Sequence, residues 1–262
     1  MQLRLKPVAA LLPLLFVSQL HAQQSLEPVV VTATRVETRV SEVLSDITVI
    51  DRAEIERSAG GTVIDLLSRQ PGVQVATSGG PGTSASLYLR GAKPDQTKVL
   101  IDGLPINSID ASGSPLRFIP LANVERIEIL RGPGSMLYGA DAVGGVIQIF
   151  TRKGTPGLKA DGFVGYGSDD TFKTSAGVSA GNERWRFRVE GSHDDFRGIS
   201  AMRDATNKDG DKDGYRNTGG AISTSFLPAE GHEIGLSFRQ NEGRAHYDSG
   251  DVPAASLFDA YQ

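Results

Sequence analysis

From Leu158 onward, segment after segment alternates apolar and polar residues one for one, where the preceding part reads as a compact mixed domain. Phe172, Ala176, Val178 and Ala180 interleave with Lys173, Ser175, Gly177 and Ser179. Trp185, Phe187 and Val189 interleave with Arg184, Arg186, Arg188 and Glu190. Ile222 and Phe226 alternate with Ser223 and Ser225, and Ile234, Leu236 and Phe238 with Glu233, Ser237 and Arg239. Phe163 to Gly167 is a weaker first strand. A period of two puts one set on each face of a strand. A soluble sandwich alternates too. Here the polar positions carry charges and small polar groups suited to a wet lumen, and the apolar positions form one continuous band. The connections also differ in length. Those after Asn182 and Pro228 are short, and the stretch from Asp194 to Asn217 is long, as in membrane barrels with short turns at one end.

The expected fold class is therefore an α+β plug domain followed by the first strands of an antiparallel transmembrane β-barrel, which is incomplete. Five strands are expected, with none at Tyr261-Gln262. Five cannot close around a globular domain, and each backbone group left unpaired in lipid costs roughly several kcal/mol. The chain is expected to be the N-terminal piece of a longer protein.

The 262 residues contain 39% hydrophobic and 22% charged side chains, enough for a core. With no cysteine there is no disulfide framework or thiolate metal site. A net charge of −4 gives no footprint for nucleic acid. Arg4 and Lys6, the apolar run Val8 to Val17 and the small Ala22 form a secretory signal over residues 1–22. The run is too short to span a bilayer as a helix.

Residues 23–38 hold a short polar stretch and the β-favouring run Val29, Val30, Val31, Thr32, Ala33 and Thr34 after Pro28. It reads either as a first strand of the domain or as an exposed strand that adds to a partner's sheet edge. Residues 39–153 mix helices and short strands. Ile47 to Ile50 is a strand, and Asp51 with Glu54 three residues on fits a capping box. Thr62 opens a second helix, which Pro71-Gly72 ends. Val73–Val75, Ser86–Arg90, Lys98–Ile101, Val124–Leu130 and Val146–Phe150 are strands, with a tight turn at Asp102-Gly103. This order suggests a small α+β sheet. Two polar, glycine-rich loops, Ser78 to Ser86 and Ser108 to Pro115, read as plain connections or as a ligand-contact surface. Residues 158–262 are the barrel part.

Three motifs invite chemistry. Gly177-Val-Ser-Ala-Gly181 matches G-x-S-x-G, but a nucleophile elbow needs a strand–turn–helix, and this serine lies inside a period-two strand. Gly132-Pro-Gly134 lacks the spacing of a dinucleotide fingerprint and reads as a tight turn. Asp209, Asp211 and Asp213, followed by Gly214, suit a hard cation that takes about 6–8 oxygens. Gly220 at the twelfth position rules out an EF-hand, so further ligands would come from elsewhere, with Tyr247, Asp248 and Asp259 in the next long loop as candidates. Ordinary solvated turn chemistry explains Asp-Gly repeats equally well.

The sequence resembles the TonB-dependent outer-membrane receptors along nearly the whole chain after the signal. Glu27 to Arg35 resembles the TonB box. Pro71-Gly-Val73, Leu89-Arg-Gly91, Val99 to Asn107 and the run Arg131 to Arg152 resemble the plug signatures. Within the family the resemblance is strongest to the vitamin B12 (cobalamin) receptors. It implies a non-enzymatic importer in the outer membrane, in contact with its lipid. Energy would come from the inner membrane through TonB, which would pair with Val29–Thr34. It further implies that Ser84, Ser86, Lys93, Ala111 and Ser112 contact a cobalamin-like ligand, with Lys93 where the family has asparagine and Ser84 where it has leucine. It implies Ca2+ at Asp209, Asp211, Asp213, Tyr247, Asp248 and Asp259, with Ser200 replacing one aspartate. A siderophore receptor of the same family is the alternative ligand class. A soluble periplasmic binding or adhesion module is the alternative from outside it.

Overall fold

The computed structural model describes residues 29–30, 38–39, 46–58, 61–106, 115–199, 212–229, 231–247 and 258–261. Two short strands come first, β1 (Val29–Val30) and β2 (Thr38–Arg39), paired antiparallel.

The plug sheet contains β3 (Asp46–Ile50), β6 (Thr97–Ile101), β7 (Leu104–Pro105), β8 (Val124–Arg131) and β9 (Gly145–Thr151), in the order β3-β8-β9-β6-β7. Only β6 and β9 are parallel. Alternation along β8 and β9 divides their side chains between two faces. Ile127, Ile129, Ile147 and Ile149 join the main core with Ile50, Leu66, Leu67 and Leu89. Leu130 and Val146 form a smaller core on the other face. The main core is roofed by α1 (Arg52–Arg57), α2 (Val63–Ser68) and the hairpin of β4 (Val73–Thr77) with β5 (Ala85–Leu89).

The helix starts differ from the sequence reading in one respect. Asp51 caps α1 by accepting from the Glu54 amide at 2.8 Å, but Glu54 does not reach back and instead accepts from Gln70 at 3.4 Å. The reciprocal capping box belongs to α2, where Thr62 and Asp65 exchange both bonds. The turn Asp102-Gly103 is as expected, with both residues at positive φ. A short helix, α3 (Ser135–Tyr138), follows β8.

The second sheet is an antiparallel meander of β10 (Gly157–Gly167), β11 (Thr171–Gly181), β12 (Trp185–Ile199), β13 (Asp213–Ala229), β14 (His232–Tyr247) and β15 (Phe258–Tyr261). Three expectations change. The sheet has six strands, because Phe258–Tyr261 pairs with Arg244–Tyr247 where the sequence shows no strand pattern. The first strand is eleven residues long, starting at Gly157. Both ends of the stretch from Asp194 to Asn217 are strand, as β12 runs on to Ile199 and β13 begins at Asp213, leaving 200–212 between them. Its polar residues resemble loop because the strands run on past their apolar band.

Register explains how. Ala160, Val178, Val189, Ile222 and Phe238 lie in one outward row. Tyr166 and Phe172 lie in a further row that continues to Asp195, Arg216 and Arg244. At the other margin Trp185, Phe226 and Ile234 share a row, with the Trp185 and Phe226 rings 4.5 Å apart. The apolar band thus crosses the rows obliquely. A hydrocarbon layer of fixed height cuts strands tilted by about 35–45° in this way.

Inward residues hold the plug. Asp161 of β10 accepts from Arg152, just past the plug sheet, at 3.0 Å. It also takes a two-point bond from Arg188 of β12, at 2.9 and 3.1 Å. Arg188 in turn donates to Glu190 at 2.7 Å, and both are buried. Two-point guanidinium–carboxylate pairs are among the stronger polar contacts. Nearby, Arg239 of β14 reaches Asp102 at 3.4 Å, and Asp102 also accepts from the amide and hydroxyl of Thr151. The plug's exit is therefore pinned to the first strands of the wall. Replacing Asp161 by Asn leaves two guanidiniums sharing a neutral partner. We expect this to loosen the exit segment by about 1–3 kcal/mol, the worth of charge-assisted hydrogen bonds. In urea titrations followed by hydrogen exchange, residues 150–156 should then open at lower denaturant while the wall stays folded.

Candidate functional site

The G-x-S-x-G run is explained by packing. Ser179 is buried in β11 and its hydroxyl lies 3.1 Å from that of Thr155. Gly177 leaves the space that the Arg188 guanidinium fills, since a Cβ there would lie 3.0 Å from Arg188 Cζ. The motif serves the ionic cluster and has no nucleophile geometry.

The glycine-rich loop between β4 and β5 is compact. The Ser78 amide donates to the Ser84 carbonyl at 3.0 Å. The Thr83 hydroxyl donates to the Gly80 carbonyl at 2.8 Å. Ser84 and Ser86 are half-buried, at the end of this loop and in β5. Lys93 is exposed beyond the far end of β5, where its amide donates to the Gln96 side chain at 3.1 Å. Ala111 and Ser112 lie outside the described residues. The 3-10 turn Pro115–Phe118, downstream of them, is seated against the wall. The Tyr215 hydroxyl donates to the Arg117 carbonyl at 3.1 Å, and the Asn217 amide to the Phe118 carbonyl at 3.0 Å.

Elsewhere the plug and wall leave a cavity of about 110 Å³ lined by Arg52, Ile55, Leu121, Phe163, Lys173 and Asp194. A space of that size takes a few waters and no large organic ligand. Lys173 spans it to donate to the Gly61 carbonyl at 3.1 Å. A larger space of about 510 Å³ lies toward the outer ends of β12, β13 and β14, lined by Phe196, Tyr215, Arg216, Thr218, Glu242 and Arg244.

Of the cation candidates, Asp209, Asp211 and Asp248 lie outside the described residues. Asp213 is buried at the start of β13. The β13–β14 ladder reaches Tyr215 with Ala245, two residues short of Asp213 and of Tyr247. Asp259 pairs with His246. Among the described residues no three acidic or histidine side chains converge as a metal cluster. Of the run Val29 to Thr34, only Val29 and Val30 are described. They pair with Arg39 and Thr38; Val31, Thr32, Ala33 and Thr34 lie outside.

Sequence reasoning missed Asp161 and Asp102 as the carboxylates that hold plug to wall, and Phe118, Tyr215 and Asn217 as their counterparts at the other end. A signal existed for Asp161, an acid on a strand that follows shortly after Arg152 and Lys153 and precedes the arginines of Arg184 to Arg188. The apolar Phe118 and Tyr215 carried none.

Comparison with known proteins fits this geometry. The TonB-dependent receptor plug domain model matches residues 39–146. A vitamin B12 transporter BtuB from Vibrio vulnificus strain YJ016 is 46% identical over 156 residues, covering 59% of this chain and 25% of that protein. One from Vibrio cholerae strain O395 is 34% identical over 237 residues, covering 89% and 39%. The chain thus spans well under half the length of these relatives. The pyoverdine outer membrane receptor FpvA of Pseudomonas aeruginosa PAO1 superimposes with a TM-score of 0.70 at 20% identity, over 83% of this chain and 30% of that one. That likeness is one of fold. The plug sheet, the inward charges that grip it and the oblique apolar band on the wall's outer face all agree with these matches. The chain belongs to the TonB-dependent outer-membrane receptors, whose members are transport proteins and not enzymes.

Proposed function

We propose that this chain is the plug and opening wall of a receptor that imports cobalamin, or a closely related corrinoid, under the drive of TonB. The supporting observation is the 34% identity to a vitamin B12 transporter, in an alignment of 237 residues long enough to take in both plug and wall. The similarity to the pyoverdine receptor rests on fold alone, so a ferric-siderophore receptor is the second reading.

In the proposed cycle the plug blocks the lumen until ligand settles on its outer loops, with Ser84, Ser86, Lys93, Ala111 and Ser112 as contacts. Val29–Thr34 would then be taken up by TonB as an added strand, bound through its backbone donors and acceptors. Asp209, Asp211, Asp213, Tyr247, Asp248 and Asp259 would hold Ca2+. Carboxylates and a phenol oxygen are hard donors that suit it. The ion would cross-link the segments between β12 and β13 and between β14 and β15, and so pre-order the ligand surface.

Two experiments on the whole receptor test this reading. Val31→Pro removes a backbone donor from the pairing run. Uptake of radiolabelled cyanocobalamin should stop while its binding to isolated outer membranes is unchanged; uptake at the normal rate would refute the assignment. The second is a titration in detergent. EDTA, or Asp211→Ala with Asp213→Ala, should weaken cyanocobalamin affinity by at least about tenfold, equal to about 1.4 kcal/mol. Indifference to both would count against the ion. Binding of ferric siderophores with no cyanocobalamin affinity would favour the second reading.

A further inference from the structure

At its outer end the plug meets the wall through two aromatic rings, each seated where the opposing body has a glycine. Phe118 is buried against β14 at Gly243, where an added Cβ would overlap its ring. In the other direction, Tyr215 of β13 lies over Gly82 in the β4–β5 loop, where an added Cβ would overlap the Tyr215 ring. The two rings stack with centroids 6.0 Å apart and planes 18° from parallel. Ala245 completes the cluster, and Phe196 packs against it. The hydrogen bonds from Tyr215 and Asn217 to the Arg117 and Phe118 carbonyls fix the same contact in register.

We propose that this reciprocal interlock positions the ligand-contact loop, with Tyr215, Asn217 and Gly243 of the wall as positioning residues. The inference deepens the proposed function and rests on its assignment of Ser84 and Ser86 as ligand contacts. Gly82 is two residues from Ser84, inside a loop closed by the Ser78–Ser84 and Thr83–Gly80 bonds. A shift of Gly82 therefore carries Ser84 with it. A ligand that touches plug and wall together needs both at one separation. Well-packed rings in two notches have one arrangement, because displaced aromatic surface would leave a void or a clash. Loosening the interlock should cost affinity and leave the number of sites intact. The same contact must part before the plug can move.

The test uses the whole receptor in detergent, with two readouts. Hydrogen exchange at residues 78–86 and 115–119 in the ligand-free protein needs no ligand identity. Cyanocobalamin titration reports affinity and site number separately. Gly243→Ala should raise exchange in both segments and weaken affinity, each by about tenfold, with the site number unchanged. In a Phe118→Ala background, which vacates the notch, Gly243→Ala should add nothing further. Tyr215→Phe keeps the ring and loses one hydrogen bond, so a rise in exchange of about threefold is expected without a folding defect. Ile222→Ala, outward on the same strand, should leave both readouts alone. Unchanged exchange in both Gly243→Ala and Tyr215→Phe would overturn the interlock, as would an equal effect of Gly243→Ala with and without Phe118. Raised exchange with unaltered affinity would overturn its positioning role. If the unmodified receptor shows no cyanocobalamin affinity while exchange responds as described, the corrinoid reading fails and the interlock stands.

Discussion

A sheet whose outer face lies in hydrocarbon has to turn its polar residues inward, and those residues then need partners away from bulk water. Most features of this chain follow from that inversion. The wall strands carry arginine, glutamate, serine and asparagine on the face that an ordinary sheet would make its core. The plug answers them. Arg152 and Asp102 meet Asp161 and Arg239, and backbone carbonyls at Gly61, Arg117 and Phe118 accept from Lys173, Tyr215 and Asn217. A wall without a plug would leave these groups to water; an apolar plug would leave them without partners.

The two ends of the contact use different physics. At the exit end, charges do the holding, in a chain of guanidiniums and carboxylates in which Arg188 and Glu190 are buried. Such a cluster is costly to break one member at a time. At the outer end, shape does most of the holding, with aromatic rings in glycine notches and two hydrogen bonds to carbonyls. Packing contacts fall away within a fraction of an ångström. In the proposed import cycle, the outer end is thus suited to release after a small displacement, and the exit end to keep the plug attached.

Much of the fold was legible because its signals are local. Alternation at Trp185–Glu190 and Ile234–Arg239 fixes strand, face and environment together. Asp51 and Thr62 mark helix starts through caps that involve only neighbouring residues. What misled were places where a local signal changed meaning. Asp194, Asp195, Arg216 and Asn217 look like loop, yet they continue β12 and β13 beyond the hydrocarbon layer. Phe258–Tyr261 has too short a pattern to announce a strand, and only β14 beside it makes one. The G-x-S-x-G run copied a catalytic pattern because small residues are also what a crowded lumen requires.

The sequence by itself determined that a mixed α+β domain precedes an amphipathic antiparallel sheet, and which face of each strand meets lipid. Periodicity, caps and turn residues act over a few positions and need no knowledge of the rest of the chain. Tertiary structure alone decided which inward charges meet which plug residues, and that Phe118 and Tyr215 trade places with Gly243 and Gly82. Those contacts join residues up to more than a hundred positions apart. Their geometry depends on strand tilt and register, which no short window of sequence encodes.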